Sequence, residues 1–386
     1  MAGEPLTILV DENVPYGAEA FGRVGTVRIR PGRQITADDV RHTDVLIVRS
    51  VTKVDAALLT GSRVRFVGTA TIGTDHCDLQ FLRDNGIEFA SAPGSNATSV
   101  AEYVTAALLL SAHRRGRALA GATLAVLGVG NVGSRVVGKA RALGMRPLLV
   151  DPPRQREEPD ASFVSLDVAL PQADYVTLHV PLTKTGPDAT AGMANAAFFA
   201  AMKPGAVFLN TSRGGVQDEA ALTAALDSGQ VSQAVLDVWR GEPAIDPQMV
   251  QRAFLASPHI AGYSFDGKVA ATRMLYDALC RFLDQPRDLD LAPLLPPASV
   301  PRVDLTRIGG DEDALRAAVS AVYDIEDDDR MLRVATVADP SGAAFDRLRK
   351  DYRQRREFPH TTLVISSARR SLAAQASGLG FRVETQ

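Results

Sequence analysis

Residues 123–133 read Thr-Leu-Ala-Val-Leu-Gly-Val-Gly-Asn-Val-Gly, and this stretch restricts what can surround it more than any other. The five residues Thr123 to Leu127 predict a short buried strand. Three glycines follow in the spacing G-x-G-x-x-G, at Gly128, Gly130 and Gly133, and 134–143 continues with a helical pattern. In such a turn the first glycine permits the tight bend and the second lets the backbone approach a pyrophosphate. The third lets helix and strand pack closely. The helix N-terminus adds free N–H groups and a partial positive charge. The next strand, 146–150, ends in Asp151, about 21 residues after Gly130. A carboxylate there accepts hydrogen bonds from a ribose 2′-hydroxyl and repels a 2′-phosphate. Strand, glycines, helix, strand and acid in register predict a dinucleotide site that prefers NAD to NADP.

A chain of 386 residues is too long for one ordinary domain, and two or three are expected. An apolar content of 46% supports full cores, and a net charge of -3 gives no field to recruit nucleic acid or a membrane surface. Cys77 and Cys280 are the only cysteines, so no disulfide framework is implied and a reducing cytoplasm fits. The N-terminal sequence has no basic run or long apolar run, which predicts no secretory leader. No apolar segment is long enough to span a bilayer.

Ahead of the glycine turn, apolar runs at 6–10, 21–30, 45–48 and 64–67 alternate with helical stretches, which predicts a parallel sheet covered on both faces. Ligands of such sheets bind beyond the carboxyl ends of strands. The polar clusters Arg49/Ser50/Lys53 and Thr69/Thr71/Thr74 fall there, although serine and threonine also serve turns and caps. A long apolar helix is expected at 96–115. About six strand-like segments between 123 and 260 suit a complete doubly wound domain, and a helix at 269–283 is expected to return to the first domain. Residues 284–301 are rich in Pro and Asp and predict a linker. Beyond it, helices at 313–323 and 345–356, the latter basic, and strands at 333–337 and 361–365 predict a small α+β domain. The expected fold is α/β, with two doubly wound parallel-sheet domains of Rossmann or flavodoxin-like type. Their bounds are 1–95, with 263–285 returning to it, and 96–262 for the NAD-binding domain, followed by a C-terminal α+β dimerisation domain at 286–386.

Three polar residues follow strand-like segments of the second domain: Arg213 in Asn-Thr-Ser-Arg-Gly-Gly, Glu242 in Asp-Val-Trp-Arg-Gly-Glu-Pro, and His259 in Ser-Pro-His-Ile-Ala-Gly. Their types suit oxidation of a 2-hydroxy acid. A guanidinium holds a carboxylate with two parallel hydrogen bonds. A histidine takes the hydroxyl proton as hydride leaves the same carbon, and a carboxylate on the other imidazole nitrogen sets the tautomer. Taken singly, each has an ordinary structural explanation as a surface charge, a turn residue or a packed histidine.

Together with Gly-Val-Gly-Asn-Val-Gly, these segments resemble the signatures of the D-2-hydroxyacid dehydrogenase family. Further segments extend the resemblance over nearly the whole chain, among them Val-Arg-Ser-Val-Thr-Lys-Val at 48–54 and Phe-Asp-Arg-Leu-Arg-Lys-Asp-Tyr at 345–352. The resemblance implies catalytic roles for Arg213, Glu242 and His259. It implies NAD contacts at Gly128, Gly130, Asn131, Val132, Gly133, Asp151, Val180, Thr211, Ser212, Arg213, Asp237 and Gly262, and substrate contacts at Ser50, Thr71 and Tyr263. It further implies a small phosphorylated hydroxy-acid substrate and a homodimer built partly by the last domain, with no metal, nucleic acid or membrane partner. Two features depart from the expected pattern: the segment Asn-Thr-Ser-Arg at 210–213, where Asn-Ala-Cys-Arg is expected, and Val180, where a threonine is expected. The alternatives are another D-2-hydroxy acid such as 3-phosphoglycerate, or an NAD-sensing regulatory protein on the same scaffold. The basic residues from Arg347 to Arg356 suit either a solvated or salt-bridged helix face, or phosphate recognition or steering of an anionic substrate.

Overall fold

The structure, a computed structural model, describes residues 6–159, 161–339 and 341–386. Residues 1–5, where the expectation about a leader begins, lie outside the described residues. The chain divides into two compact units, one formed by the residues up to Asn96 with Ser264–Pro296, the other by Ala97–Tyr263 with Pro297–Gln386.

In the first unit the strands β1 (Thr7–Asp11), β2 (Thr26–Arg30), β3 (Val45–Val48), β4 (Phe66–Thr69) and β5 (Glu88–Ala90) pair in parallel in the order β2-β1-β3-β4-β5. Alternate residues of these strands serve opposite faces. Ile8, Val10, Ile47 and Phe66 pack with Leu275, Tyr276 and Leu279 of the helix Phe265–Phe282. Leu9, Leu46, Val48 and Val67 pack with Leu58 and Leu82 on the other side. The order reverses between β1 and β3, so their carboxyl ends, Asp11 and Arg49-Ser50, flank the crevice where such sheets take ligands.

In the second unit β6 (Thr123–Leu127), β7 (Arg146–Val150), β8 (Tyr175–Leu178), β9 (Ala206–Asn210), β10 (Val231–Leu236) and β11 (Leu255–Ala256) form a parallel sheet in the order β11-β10-β9-β8-β6-β7. Phe163 bridges to Leu149 on β7, where a further strand of a dinucleotide-binding sheet would lie. The reversal falls between β6 and β8, beside the glycine turn. Nearly every residue of the helix Ala97–Arg115 up to Ala112 is buried.

The segment from Pro297 belongs to this second unit. Its strands β12 (Arg302–Asp304), β13 (Thr362–Ile365) and β14 (Arg382–Thr385) pair in parallel in the order β12-β13-β14. Leu305, Leu315, Phe358, Leu363 and Phe381 share one apolar cluster with Val104, Leu108, Val136 and Ala140. A linker near 284–301 therefore does not separate this segment from the nucleotide-binding sheet.

Two local expectations are corrected. Residues 333–337 are not a strand but part of the helix Ile325–Ala338. Asp324 caps it by accepting from the Asp327 N–H, and Glu326, Asp327 and Asp328 occupy its first turn, where the helix dipole favours acids. Leu332 and Thr336 face inward while Val334 and Val337 face out. The basic helix expected at 345–356 spans Ala343–Lys350, leaving Arg353, Arg355 and Arg356 beyond its end. Asp151 also caps the short helix Pro152–Glu157 through the Arg154 N–H.

Candidate active site

The glycine turn has the shape its spacing predicts. Gly128 has φ 84°, and a Cβ on it would stand 2.7 Å from the His179 carbonyl oxygen. A Cβ on Gly133 would stand 2.0 Å from the Gly128 oxygen, so both positions exclude any side chain. Gly130 differs: it is exposed, and a Cβ there would meet nothing within 4 Å. Gly130 also begins the helix Asn131–Ala142 without a side-chain cap, so the first-turn N–H groups of Asn131, Val132 and Gly133 are open to an anion. Asp151 accepts from the Val129 N–H at 2.8 Å, which ties the end of β7 to the middle of the turn. Open space at Gly130, an uncapped helix end and an acid at the second strand fit a dinucleotide.

Beyond β9 the buried Asn210 shapes the Arg213 turn. Its Oδ1 accepts from Ser212 N at 3.0 Å and Ser212 Oγ at 2.8 Å, and its Nδ2 donates to the Arg213 carbonyl at 3.1 Å. Arg213 Nη1 donates to the Ser212 carbonyl at 2.8 Å. A Cβ on Gly214 would lie 2.0 Å from the Trp239 carbonyl, so only glycine allows the Arg213 turn to rest on the segment leading to Glu242.

Glu242 and His259 meet directly. Glu242 Oε1 accepts from the Trp239 N–H at 2.9 Å, and Oε2 lies 2.7 Å from His259 Nδ1. Burial works to raise the Glu242 carboxyl. The charge and hydrogen bond of His259, the Trp239 N–H and the charge of Arg349 outweigh it, and the group lies below the usual carboxylate range. His259 has φ 56°, a conformation that a non-glycine residue holds only when its surroundings enforce it. Asp237 supplies much of that enforcement. Its carboxylate accepts from Ser257 Oγ at 2.6 Å, Ile260 N at 2.8 Å and Ala261 N at 3.0 Å. Tyr103 meets Ser257 Oγ at 2.7 Å, and Trp239 Nε1 donates to the Ser257 carbonyl at 2.9 Å. Burial pushes Asp237 up to about 6, against the charge of His259 and these hydrogen bonds.

The remaining residues predicted from sequence are placed as follows. Val180 lies two residues past β8, its Cγ1 close to the space a Gly128 Cβ would take. Thr211 Oγ1 is 3.3 Å from Nδ1 of His179, whose Nε2 is 3.1 Å from Thr177. Burial lowers His179 to about 3, so its ring is neutral. His179, Asn210 and Ser257 join the site without a local sequence signal beyond their places, His179 and Ser257 just after a strand and Asn210 closing one. Gly262 and Tyr263 end this unit's loop, with the Tyr263 N–H donating to Ile260 and its ring 5.9 Å from that of Tyr352. Ser50 and Thr71 belong to the first unit. Ser50 is exposed just past β3, and Thr71 Oγ1 lies 2.7 Å from Thr69 Oγ1 and donates to the Gly73 carbonyl at 2.9 Å. In that unit burial and the charge of Arg49 lower Lys268 to about 8, a pair of cations that the spacing alone did not reveal.

Comparison with known proteins agrees with this geometry. Residues 97–261 match the family described as D-isomer specific 2-hydroxyacid dehydrogenase, NAD binding domain, and residues 294–380 match a domain of unknown function. The chain is 50% identical to the erythronate-4-phosphate dehydrogenase of Salinibacter ruber, covering 93% of this chain and 94% of that one. It is 45% identical to the enzyme of that name from Cronobacter sakazakii, over 97% of this chain and 98% of that one. Among solved structures it is similar to D-lactate dehydrogenase from Aquifex aeolicus complexed with NAD and lactic acid. The identity there is 25%, the TM-score 0.60, and the match covers 72% of this chain and 95% of that one.

Proposed function

Because the chain belongs to the erythronate-4-phosphate dehydrogenase family of D-isomer specific 2-hydroxyacid dehydrogenases, we propose that it oxidises 4-phospho-D-erythronate to 3-hydroxy-2-oxo-4-phosphooxybutanoate, a step of pyridoxal 5′-phosphate synthesis. It is an NAD-dependent oxidoreductase. NAD, which Gly128 to Gly133 and Asp151 would hold, would supply the ring carbon that accepts hydride.

The observation that carries the chemistry is the contact of 2.7 Å between His259 Nδ1 and Glu242 Oε2. An ionised carboxylate only accepts, so Nδ1 carries the hydrogen and Nε2 keeps its lone pair for the substrate. In this reading His259 Nε2 takes the proton of the C2 hydroxyl as the C2 hydrogen leaves as hydride. The imidazolium that forms is balanced by Glu242. Arg213 holds the substrate carboxylate in a fork, and Ser50, Thr71 and Tyr263 are assigned to the substrate. Val180, Thr211, Ser212, Asp237 and Gly262 are assigned to the cofactor side.

We further assign a homodimer and a cytoplasmic location. Met331, Val334 and Val337, spaced three apart on the helix Ile325–Ala338, are 41%, 64% and 72% exposed, an apolar stripe suited to a second copy of the chain. Cys77 and Cys280 are free thiols, which fits a reducing compartment. The test of function is formation of NADH from 4-phospho-D-erythronate, with mass-spectrometric identification of the 2-oxo acid. Turnover of 3-phosphoglycerate in its place, or of neither acid, would reject the assigned substrate.

A further inference from the structure

The helix Ala343–Lys350 belongs by sequence to the C-terminal segment, yet its start rests on the loop that carries Glu242. Gly342, at φ 91°, lies so close to Pro243 that a Cβ would stand 2.5 Å from its carbonyl carbon and oxygen. Phe345 is buried in one cluster with Trp239, Ile245 and Met249. These contacts fix the direction of the helix and bring Arg349 back toward the candidate active site. Its guanidinium carbon is 5.8 Å from the centroid of the Tyr263 ring and 5.8 Å from that of Phe345. Arg349 Nε is buried and has no hydrogen-bond partner among the described residues. Buried N–H groups of that kind are uncommon. Hydrogen bonding at Nε therefore does not explain an arginine here, whereas its charge and its side-chain hydrogen bond with Tyr263 do. Burial disfavours that charge, and Tyr263, Glu242 and Asp346 favour it strongly enough to prevail.

We propose that Arg349 is a positioning residue of the active site, supplied by the C-terminal segment: it seats Tyr263 and sets the charge balance of the Glu242–His259 pair. The inference rests on the reading of that pair as the proton-handling groups. Glu242 is faced by His259, the Trp239 N–H and Arg349. His259 is faced also by Asp237, and Arg349 by Tyr263 and Asp346. Removing one cation from this set favours every protonated state within it. The neutral imidazole that oxidation needs is then lost at higher pH. The C-terminal segment on this view is part of the catalytic apparatus of its own chain, beyond any part in joining two chains.

The test compares wild type, Arg349→Gln and Arg349→Lys. One measurement is the pH profile of kcat/KM for oxidation. The other is the titration of the His259 ring by NMR of protein labelled with 13C-histidine, with the signal assigned through its loss in His259→Asn. In Arg349→Gln the acid limb and the ring midpoint should both rise by roughly half a unit to one unit, and in Arg349→Lys the midpoint should stay near wild type. If Arg349→Gln does not fold, Arg349→Met, which keeps the aliphatic packing, takes its place with the same expected rise. An unmoved ring midpoint in a folded, charge-free variant overturns the proposal. Should wild type fail to oxidise 4-phospho-D-erythronate, the assigned substrate falls, and the ring titration still decides the role of Arg349.

Discussion

Arg355 donates to Glu102 across 2.6 Å where neither side chain meets water. Glu102 lies on the long helix before the glycine turn, and Arg355 lies on the C-terminal segment, so the ion pair joins the nucleotide-binding sheet to a part of the chain some 250 residues later. Glu102 also accepts from the Phe358 N–H at 2.7 Å. Breaking a buried pair leaves an uncompensated charge. Arg355→Met should therefore destabilise the protein by about 3–5 kcal/mol, measured by urea denaturation. Adding Glu102→Gln should recover part of that loss. A single variant as stable as wild type would show that the pair contributes little.

The same packing changes how the dimer must be tested. Removing everything after Asp288 would strip Leu305, Leu363 and Phe381 from a core shared with Val104 and Val136, and would report on folding instead of assembly. Val334→Asp with Val337→Asp alters only exposed side chains. That double variant should sediment as a monomer with an unchanged far-UV circular dichroism spectrum and a melting temperature that no longer depends on protein concentration. A stable dimer would move the interface elsewhere.

Glu242→Gln should shift the acid limb of the oxidation profile to lower pH, opposite to the shift expected for Arg349→Gln. Loss of the anion disfavours imidazolium, so the neutral base persists further into acid. In the reverse reaction, activity should decline earlier as pH rises. Because the folded Glu242 carboxyl lies below its ordinary range, its contribution to stability is present above that range and is lost as pH falls through the lowered value. His259→Asn should abolish most turnover while NAD affinity, titrated separately, stays near wild type.

Arg213→Lys keeps a positive charge but loses the planar fork. A loss of roughly tenfold or more in kcat/KM is expected, in keeping with the ~1.5–3 kcal/mol of a hydrogen bond to a charged group. Steady-state kinetics with the phospho acid check this, and near-unchanged values would make Arg213 a turn residue only.

Asp151, assigned to the ribose in the proposed function, also pins Val129 N. Asp151→Ser can still cap the helix Pro152–Glu157, and with Pro152→Arg it adds a cation where a 2′-phosphate would lie. The ratio of kcat/KM for NADP over NAD should rise by at least about tenfold. A fixed ratio would remove Asp151 from cofactor selection.

The glycine turn was legible in the sequence because its requirements are local. Gly128 and Gly133 are forced by contacts within one strand–turn–helix unit, and their spacing records that. The parallel sheets were legible for the same reason, since strands buried on both faces are short apolar runs. The run at 333–337 misled because β-branched residues mimic a strand. The acids at 326–328 carry the helix signal, and the fold confirms it by pairing Arg333 with Asp329 one turn earlier. What no local pattern contains is the meeting of distant segments. Glu242 and His259 are 17 residues apart in sequence and 2.7 Å apart in space only because Asp237 and Ser257 hold the intervening strand ends together. Arg349 and Arg355 looked like members of one solvated basic helix. Tertiary packing sent the first toward Tyr263 and buried the second against Glu102. A charge acquires its role from the groups that replace water around it, and those groups are chosen by the fold.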